Sequence, residues 1–221
     1  MKFLIAVLTV IAAYLIGSIN FAVIFTKAFN HTDVRDYGSG NAGATNVMRV
    51  SGAKAGTLTF IADALKGAVA CILGMLVFKY VLYTRETPYF NYVYGQFACA
   101  FACMVGHCWP VFFGFRGGKA AATSVGIFAV CCPPAIVLGL VGFIICMITA
   151  KMVSLGSLVA TTIVVIVTCI SAFLGFLGEV NPYTITFIML LCGFIVFYRH
   201  KDNIVRLLNG TEKRFTIKKD K

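Results

Sequence analysis

Apolar residues run along this chain in long blocks, near Phe3–Thr26, Ala64–Tyr83, Tyr92–Phe113, Ala120–Cys132, Pro133–Ala150, Val153–Phe176 and Tyr183–Tyr198. Turn residues and short polar stretches separate them. Most blocks approach or exceed the ~20 residues that carry a helix across a bilayer. The pattern predicts an all-α integral membrane protein of about seven transmembrane helices. The Ala120–Cys132 block is short of a full span, and Pro133-Pro134 separates it from its successor. These two blocks are expected either to cross twice or to fold as a re-entrant pair. Phe3–Thr26 has only Lys2 as a basic start and no clear cleavage site after it, so it is read as a retained helix.

Composition agrees with lipid as the solvent: 60% of residues are hydrophobic and only 12% are charged. Placing Lys27–Lys66, Arg116–Lys119, Lys151 and the tail on one side leaves only Lys2, Lys79 and Arg85 elsewhere, so 16 of the 19 Lys and Arg share a face. That face is expected to be cytoplasmic, with the N-terminus outside and the C-terminus inside. Reading Ala120–Ala150 as one span would put the basic tail outside, and that threading is rejected. With no internal repeat, residues 1–221 read as one polytopic membrane domain, residues 208–221 being a basic cytoplasmic tail. The net charge of +11 lacks the stacking aromatics of a nucleic-acid binder, so no nucleic acid is expected; anionic membrane lipid and phosphorylated substrates fit better. Nearly all of the nine Cys lie inside apolar segments, and none joins His at zinc spacing, so neither a metal nor another cofactor is predicted.

The polar loops carry the candidate chemistry. Gly38-Ser39-Gly40-Asn41-Ala42-Gly43-Ala44-Thr45-Asn46, followed by Arg49, lets successive backbone N–H groups converge on an anion, with Ser39, Thr45 and the Asn side chains as further donors. Arg49 adds a planar fork suited to phosphate. Gly106-His107 leads to Gly117-Gly118-Lys119, which resembles a phosphate cradle but lacks the spacing and the Ser/Thr of a nucleotide P-loop. Taken singly, the first loop also fits a flexible connector, Lys119 an interfacial lysine and His107 a helix-end residue. At the last membrane exit, His200 and Asn203 share a helical face with Arg199. Asp63 and Lys66, one turn apart, are expected to pair with each other or with a site charge. Ser154 and Ser157 either donate to phosphate or bond backbone carbonyls one turn back.

Taken in order, these elements resemble the acyl phosphate:glycerol-3-phosphate acyltransferases of bacterial membranes, the PlsY family. The likeness runs through Gly17-Ser18-Ile19, Asp33-Val34-Arg35, Gly38 to Arg49, Asp63 to Gly67, Gly106 to Thr123, Ser154 to Ser157 and His200 to Glu212. It implies seven helices, a cytoplasmic active site and formation of lysophosphatidic acid. Asn20 and Ala42 stand where the family usually has Pro, and Ala120 where it usually has Gly. The resemblance, together with the need for fixed cations, assigns Ser39, Arg49, Lys119, His200 and Asn203 to glycerol 3-phosphate. Ser154 or Ser157, with the Gly40 to Gly43 amides, would take the acyl phosphate. Gly38, Asn41, Thr45, Asn46, Asp63, Lys66, His107, Gly117 and Gly118 complete the candidate binding set. The enzyme that makes acyl phosphate is a possible partner.

An acyl phosphate is already activated, so catalysis reduces to bringing a hydroxyl to the acyl carbon and stabilising the oxyanion. Two like unit charges ~6 Å apart at an effective dielectric of ~20 repel by roughly 3 kcal/mol, so at least two fixed cations are expected. His200 is the natural protein acceptor for the hydroxyl proton, and the donor's own phosphate is the preferred one. Three other readings compete. His31-x4-Asp36 matches a thioester-dependent acyltransferase motif, Cys108 or Ser39 would be nucleophiles in covalent catalysis, and a phosphate-ester transporter would place its site at mid-membrane.

Overall fold

The computed structural model describes residues 1–84 and 86–215. Arg85 and the end of the basic tail, residues 216–221, lie outside the described residues. All regular structure described is helical: α1 (Lys2–Gly17), α2 (Phe21–Asn30), α3 (Ala44–Val77), α4 (Tyr92–Cys108), α5 (Ala121–Cys131), α6 (Pro133–Thr149), α7 (Val153–Phe173), α8 (Pro182–Arg199) and α9 (Lys201–Leu208). Five rods, residues 2–30, 44–82, 92–113, 153–173 and 182–199, are long and apolar enough to cross a membrane, while α5 and α6 are shorter. Apolar side chains such as Ile148 and Phe194 cover the outer surface, as expected where lipid replaces water.

Two predicted blocks need correction. The first is not one helix: Ser18 and Asn20 divide it, because their short polar side chains compete for backbone groups. Ser18 Oγ donates to the Tyr14 carbonyl at 2.9 Å, and the Asn20 carboxamide oxygen accepts from Val23 N at 3.3 Å, capping α2. The second helix starts at Ala44, twenty residues before the predicted Ala64. Lys54 and Asp63 interrupt its hydropathy without interrupting its hydrogen bonding, and a kink at Gly52 (φ 82°, ψ 173°) sets off its first turns.

The polar loops gather at one end of the bundle. There Arg35 donates to the Phe113 carbonyl at 2.7 Å, and Phe215 N donates to the Lys151 carbonyl at 2.6 Å, drawing the tail over the α6–α7 turn. At the opposite end, Lys2 reaches Thr84 and Thr87, and Asn91 donates to the Glu179 carbonyl. The α5–α6 turn belongs to that opposite end: Cys132 Sγ lies 3.8 Å from Ser171 Oγ in the last turn of α7. From there α6 runs back antiparallel to α7, Gly139 facing Ala160 and Gly156 facing Phe143.

Candidate active site

A cavity of about 760 Å³ opens among the gathered loops and continues between the helices. Its mouth is polar. Its inner wall is apolar, formed by Met104, Val125, Phe128, Ile136, Leu140, Phe143, Val164, Met189 and Val196. The size fits the range of small-molecule sites.

The first loop is shaped by Asn46, from the opening turn of α3. Its Oδ1 accepts from Ser39 N at 2.9 Å, while its Nδ2 donates to the carbonyls of Val34 and Tyr37, both at 3.0 Å. Gly38 (φ 66°) and Gly40 (φ 69°) adopt left-handed conformations that only glycine takes without strain. Asp33 and Arg35, paired at 2.8 Å, anchor the loop from outside the cavity. The Arg35 hydrogen bond holds the Asp33 carboxyl below its ordinary pKa against a smaller, opposing effect of burial. Ser39 and the exposed Arg49 line the cavity, and among the described residues neither side chain has a hydrogen-bond or ion-pair partner.

The second loop is clamped rather than free. Gly118 N donates to the His107 carbonyl at 3.1 Å. Arg199 donates to the carbonyls of Gly118 and Gly117, both at 2.9 Å, and its guanidinium lies 5.6 Å from the centre of the Trp109 ring. Lys119 therefore leaves a fixed backbone and points to Asn203, whose Oδ1 accepts from it. Burial, with Arg206 as a secondary cause, lowers the Lys119 pKa to about 8.

Glu212, from the tail, joins this cluster. Its Oε1 accepts from Asn203 Nδ2 at 2.7 Å and from Ser154 Oγ at 2.9 Å, and its Oε2 from Arg206 Nε at 2.7 Å. Burial raises the Glu212 pKa, but these hydrogen bonds outweigh it and leave a carboxylate. Asn203 thus bridges Lys119 and Glu212, which fixes the orientation of its amide. Ser157 donates to Val153 O at 2.9 Å, the backbone alternative foreseen for it. His200 Nδ1 lies 2.8 Å from the Val196 carbonyl, so the neutral ring donates there and presents Nε2 as a lone pair. Burial, reinforced by Lys119, lowers its pKa to about 4.

Of the candidate residues, Ser39, Gly40, Asn41, Gly43, Thr45, Asn46, Arg49, Asp63, His107, Gly117, Lys119, Ser154, Ser157, His200 and Asn203 line the cavity; Gly38, Gly118 and Lys66 do not. Lys66 is turned into the bundle, 2.8 Å from Asp63 and donating to the Ile19 carbonyl at 2.7 Å. Sequence reasoning missed two residue roles and one contact. Glu212 was detectable as an acid in a basic tail, and Arg199, placed on the His200–Asn203 face, was not foreseen as the clamp on Gly117 and Gly118. The Asp63–His107 approach of 3.5 Å links residues 44 apart and leaves no local signal. His31 and Asp36 are both exposed, with no hydrogen bond between them among the described residues, and neither lines the cavity. Cys108 is fully buried and does not line it either.

A polar mouth leads into an apolar bore inside a helical membrane protein. The family model described as glycerol-3-phosphate acyltransferase matches residues 7–210. Among curated proteins, the chain is 41% identical over 212 residues to a glycerol-3-phosphate acyltransferase of Thermoanaerobacter sp. (strain X514), covering 95% of each chain. It is 39% identical over 208 residues to glycerol-3-phosphate acyltransferase 2 of Bacillus anthracis, covering 94% of this chain and 98% of that one. Among solved structures it is similar to PlsY (YgiH), an integral membrane glycerol 3-phosphate acyltransferase. The glycerol 3-phosphate form has a TM-score of 0.78 at 34% identity, and the lysophosphatidic acid form 0.76 at 33%, each covering 96% of both chains. Fold and comparisons together define an integral membrane acyltransferase. The chain belongs to the glycerol-3-phosphate acyltransferase (PlsY) family.

Proposed function

We propose that this protein transfers a fatty acyl group from acyl phosphate to the sn-1 hydroxyl of glycerol 3-phosphate, giving lysophosphatidic acid and inorganic phosphate. The observation that carries the reading is the continuity of one cavity from Arg49 and Lys119 at the mouth to the apolar wall of α5–α8. A head group and an acyl chain fit the two parts, each CH₂ in the bore contributing about 0.8 kcal/mol.

Arg49 and Lys119 neutralise the phosphates, with the Ser39 hydroxyl as a further donor; the Gly40 and Gly43 N–H groups donate to the Tyr37 and Asn41 carbonyls in the free protein and exchange these partners when they serve the substrate. In the substrate complex, Ser154 exchanges Glu212 for phosphate. The hydroxyl oxygen attacks the acyl carbon, the C–O bond to phosphate breaks, and phosphate departs with the electron pair. The hydroxyl proton goes to the leaving phosphate. A histidine with a pKa near 4 is a weak base at neutral pH, so the His200 Nε2 lone pair orients the hydroxyl instead. His200→Gln is expected to raise KM and leave turnover at saturation nearly intact; loss of turnover with normal affinity would make His200 the base.

Residues 1–221 act as one catalytic unit of seven crossings, N-terminus outside and site facing the cytoplasm of a bacterial inner membrane. Clustering of the described basic residues on the site face supports this, and cysteine labelling from either side tests it. The enzyme that makes acyl phosphate is the natural partner, since its product is amphiphilic and prone to hydrolysis. The deciding experiment supplies glycerol 3-phosphate with either palmitoyl phosphate or palmitoyl-CoA. Equal yields of lysophosphatidic acid and phosphate from the acyl phosphate alone establish the donor; product only from the thioester overturns it.

A further inference from the structure

Beneath the two anion-binding loops lies a buried set of ionisable residues with no place in the transfer step. Asp63 is 1% exposed and His107 6%. Asp63 Oδ1 lies 2.8 Å from Lys66 Nζ and 3.5 Å from His107 Nδ1, close enough for charge pairing but without hydrogen-bond geometry. Lys66 also grips the Ile19 carbonyl, released by the break between α1 and α2. Its ammonium is therefore occupied on two sides and absent from the cavity wall. The imidazole stands where the two loops meet: a Cβ placed on Gly118 would overlap His107 Nε2 and stand 2.5 Å from the Ala42 carbonyl oxygen. The His107 carbonyl meanwhile holds Gly118 N.

We propose that His107, held by Asp63 and Lys66, is a positioning residue that sets the spacing between the Gly38–Gly43 and Gly117–Lys119 loops, and hence the grip on the phosphate of glycerol 3-phosphate. The inference rests on the reading that this cavity binds that substrate. A series of close contacts runs from the α1–α2 break through Lys66 and Asp63 to the ring, then to Gly118 and Lys119. Lys66 and Asp63 cancel one another's charge; an uncompensated carboxylate here would repel the phosphate that Arg49 and Lys119 attract. A misplacement of ~1 Å in a positioned group costs up to about 10²-fold, so an effect of about tenfold on affinity is expected from loosening one loop.

The test uses the full chain, with glycerol 3-phosphate affinity by calorimetry and kcat and KM for acyl transfer measured side by side. His107→Ala should raise Kd and KM about tenfold and change kcat by less than about threefold, and His107→Gln should recover most of the affinity. Gly118→Ala should raise KM as well. The double variant should lose less than the product of the single effects, since removing the ring makes room for the new methyl. If kcat falls while Kd and KM hold, the ring takes part in the chemistry and the proposal is wrong. Unchanged affinity in the variants, or strictly multiplicative effects, also overturn it. Should His107→Ala not fold, His107→Gln with and without Gly118→Ala carries the same comparison. A wild-type protein that binds glycerol 3-phosphate but ignores acyl phosphate defeats only the donor assignment, whereas one that does not bind it defeats the reading of the cavity itself.

Discussion

The two halves of the bundle are packed by different rules. Where α1, α3, α4 and α5 meet, backbones touch through glycine: Gly17 lies on the Cys103 carbonyl, Gly106 on Tyr14, Gly67 on Thr123 and Gly126 on Ala64, each too close for a Cβ. Between α6, α7 and α8 the nearest atoms belong to side chains instead: a Cβ would stand 2.5 Å from Ile163 Cδ1 at Gly142, 2.8 Å from Phe143 Cδ2 at Gly156 and 3.2 Å from Val165 Cγ2 at Gly193. Close backbone approach is how helices gain van der Waals contact where no hydrophobic effect operates. The tight half holds the loops that carry Arg49 and Lys119 in register. The half packed through side chains borders the apolar part of the cavity beside them. Rigidity and room are thus built on opposite sides of one cavity.

The largest effect should come from breaking that asymmetry. Gly126→Leu forces α5 off α3 and is expected to abolish folded protein, whereas Gly193→Ala should shift Tm by no more than a few degrees. Size-exclusion profiles and thermal scans in detergent check the pair, and equal tolerance at both positions would remove the distinction between the halves. Next in size, Lys119→Met leaves the fold intact but removes a fixed cation, and kcat/KM should fall about 10²- to 10³-fold. An intermediate effect belongs to the half packed through side chains. Leu140→Trp fills part of the bore and should select against long acyl donors, each excluded CH₂ being worth ~0.8 kcal/mol, or roughly fourfold in kcat/KM. Chain-length profiles of the two proteins would then cross; parallel profiles would place the chain elsewhere.

A smaller effect follows from the charge balance at the mouth. In the free protein Lys119 titrates near pH 8, and phosphate binding favours its charged form. Affinity for glycerol 3-phosphate should be maximal below that pH and fall as Lys119 loses its proton, by up to about tenfold per pH unit. Glu212 raises the Lys119 pKa, so Glu212→Gln moves this alkaline limb to lower pH. Movement in the opposite direction would show that Glu212 competes with substrate more than it supports Lys119.

Much of this was legible in the chain. Apolar blocks give the helices because a bilayer admits few alternatives, and the polar Gly-rich segments between them fall at one cavity, although the N–H groups of Ser39, Gly40, Gly43 and Gly118 donate within the protein. Helix boundaries were less legible. The start of α3 was missed because Lys54 and Asp63 lower hydropathy while their backbones stay helical, and the break at Ser18–Asn20 was hidden by the apolar residues on both sides. The role of Asn46 was also hidden, since an amide that shapes a loop and one that grips a ligand look alike in sequence. The Asp63–His107 approach could not have been read, because contact between α3 and α4 has no signature in spacing.

The smallest effect concerns the seam between the halves, where Ala120 precedes α5. Its backbone is left-handed (φ 60°), a conformation that costs a non-glycine residue roughly 1–2 kcal/mol. Glycine would relieve that strain, but two opposing effects arise. The unfolded chain gains freedom worth about 0.4–1 kcal/mol, and the fully buried methyl group forfeits ~0.8 kcal/mol of burial. Ala120→Gly is therefore expected to leave stability within about 1 kcal/mol of the parent, a Tm shift of roughly 2–4 °C at most. Its consequence should be kinetic: with the methyl gone, the Lys119 loop gains mobility and KM for glycerol 3-phosphate rises by about twofold. A Tm loss well beyond that range would mean that the Ala120 methyl anchors the loop to the tight half, and that the seam is as closely packed as the glycine contacts behind it.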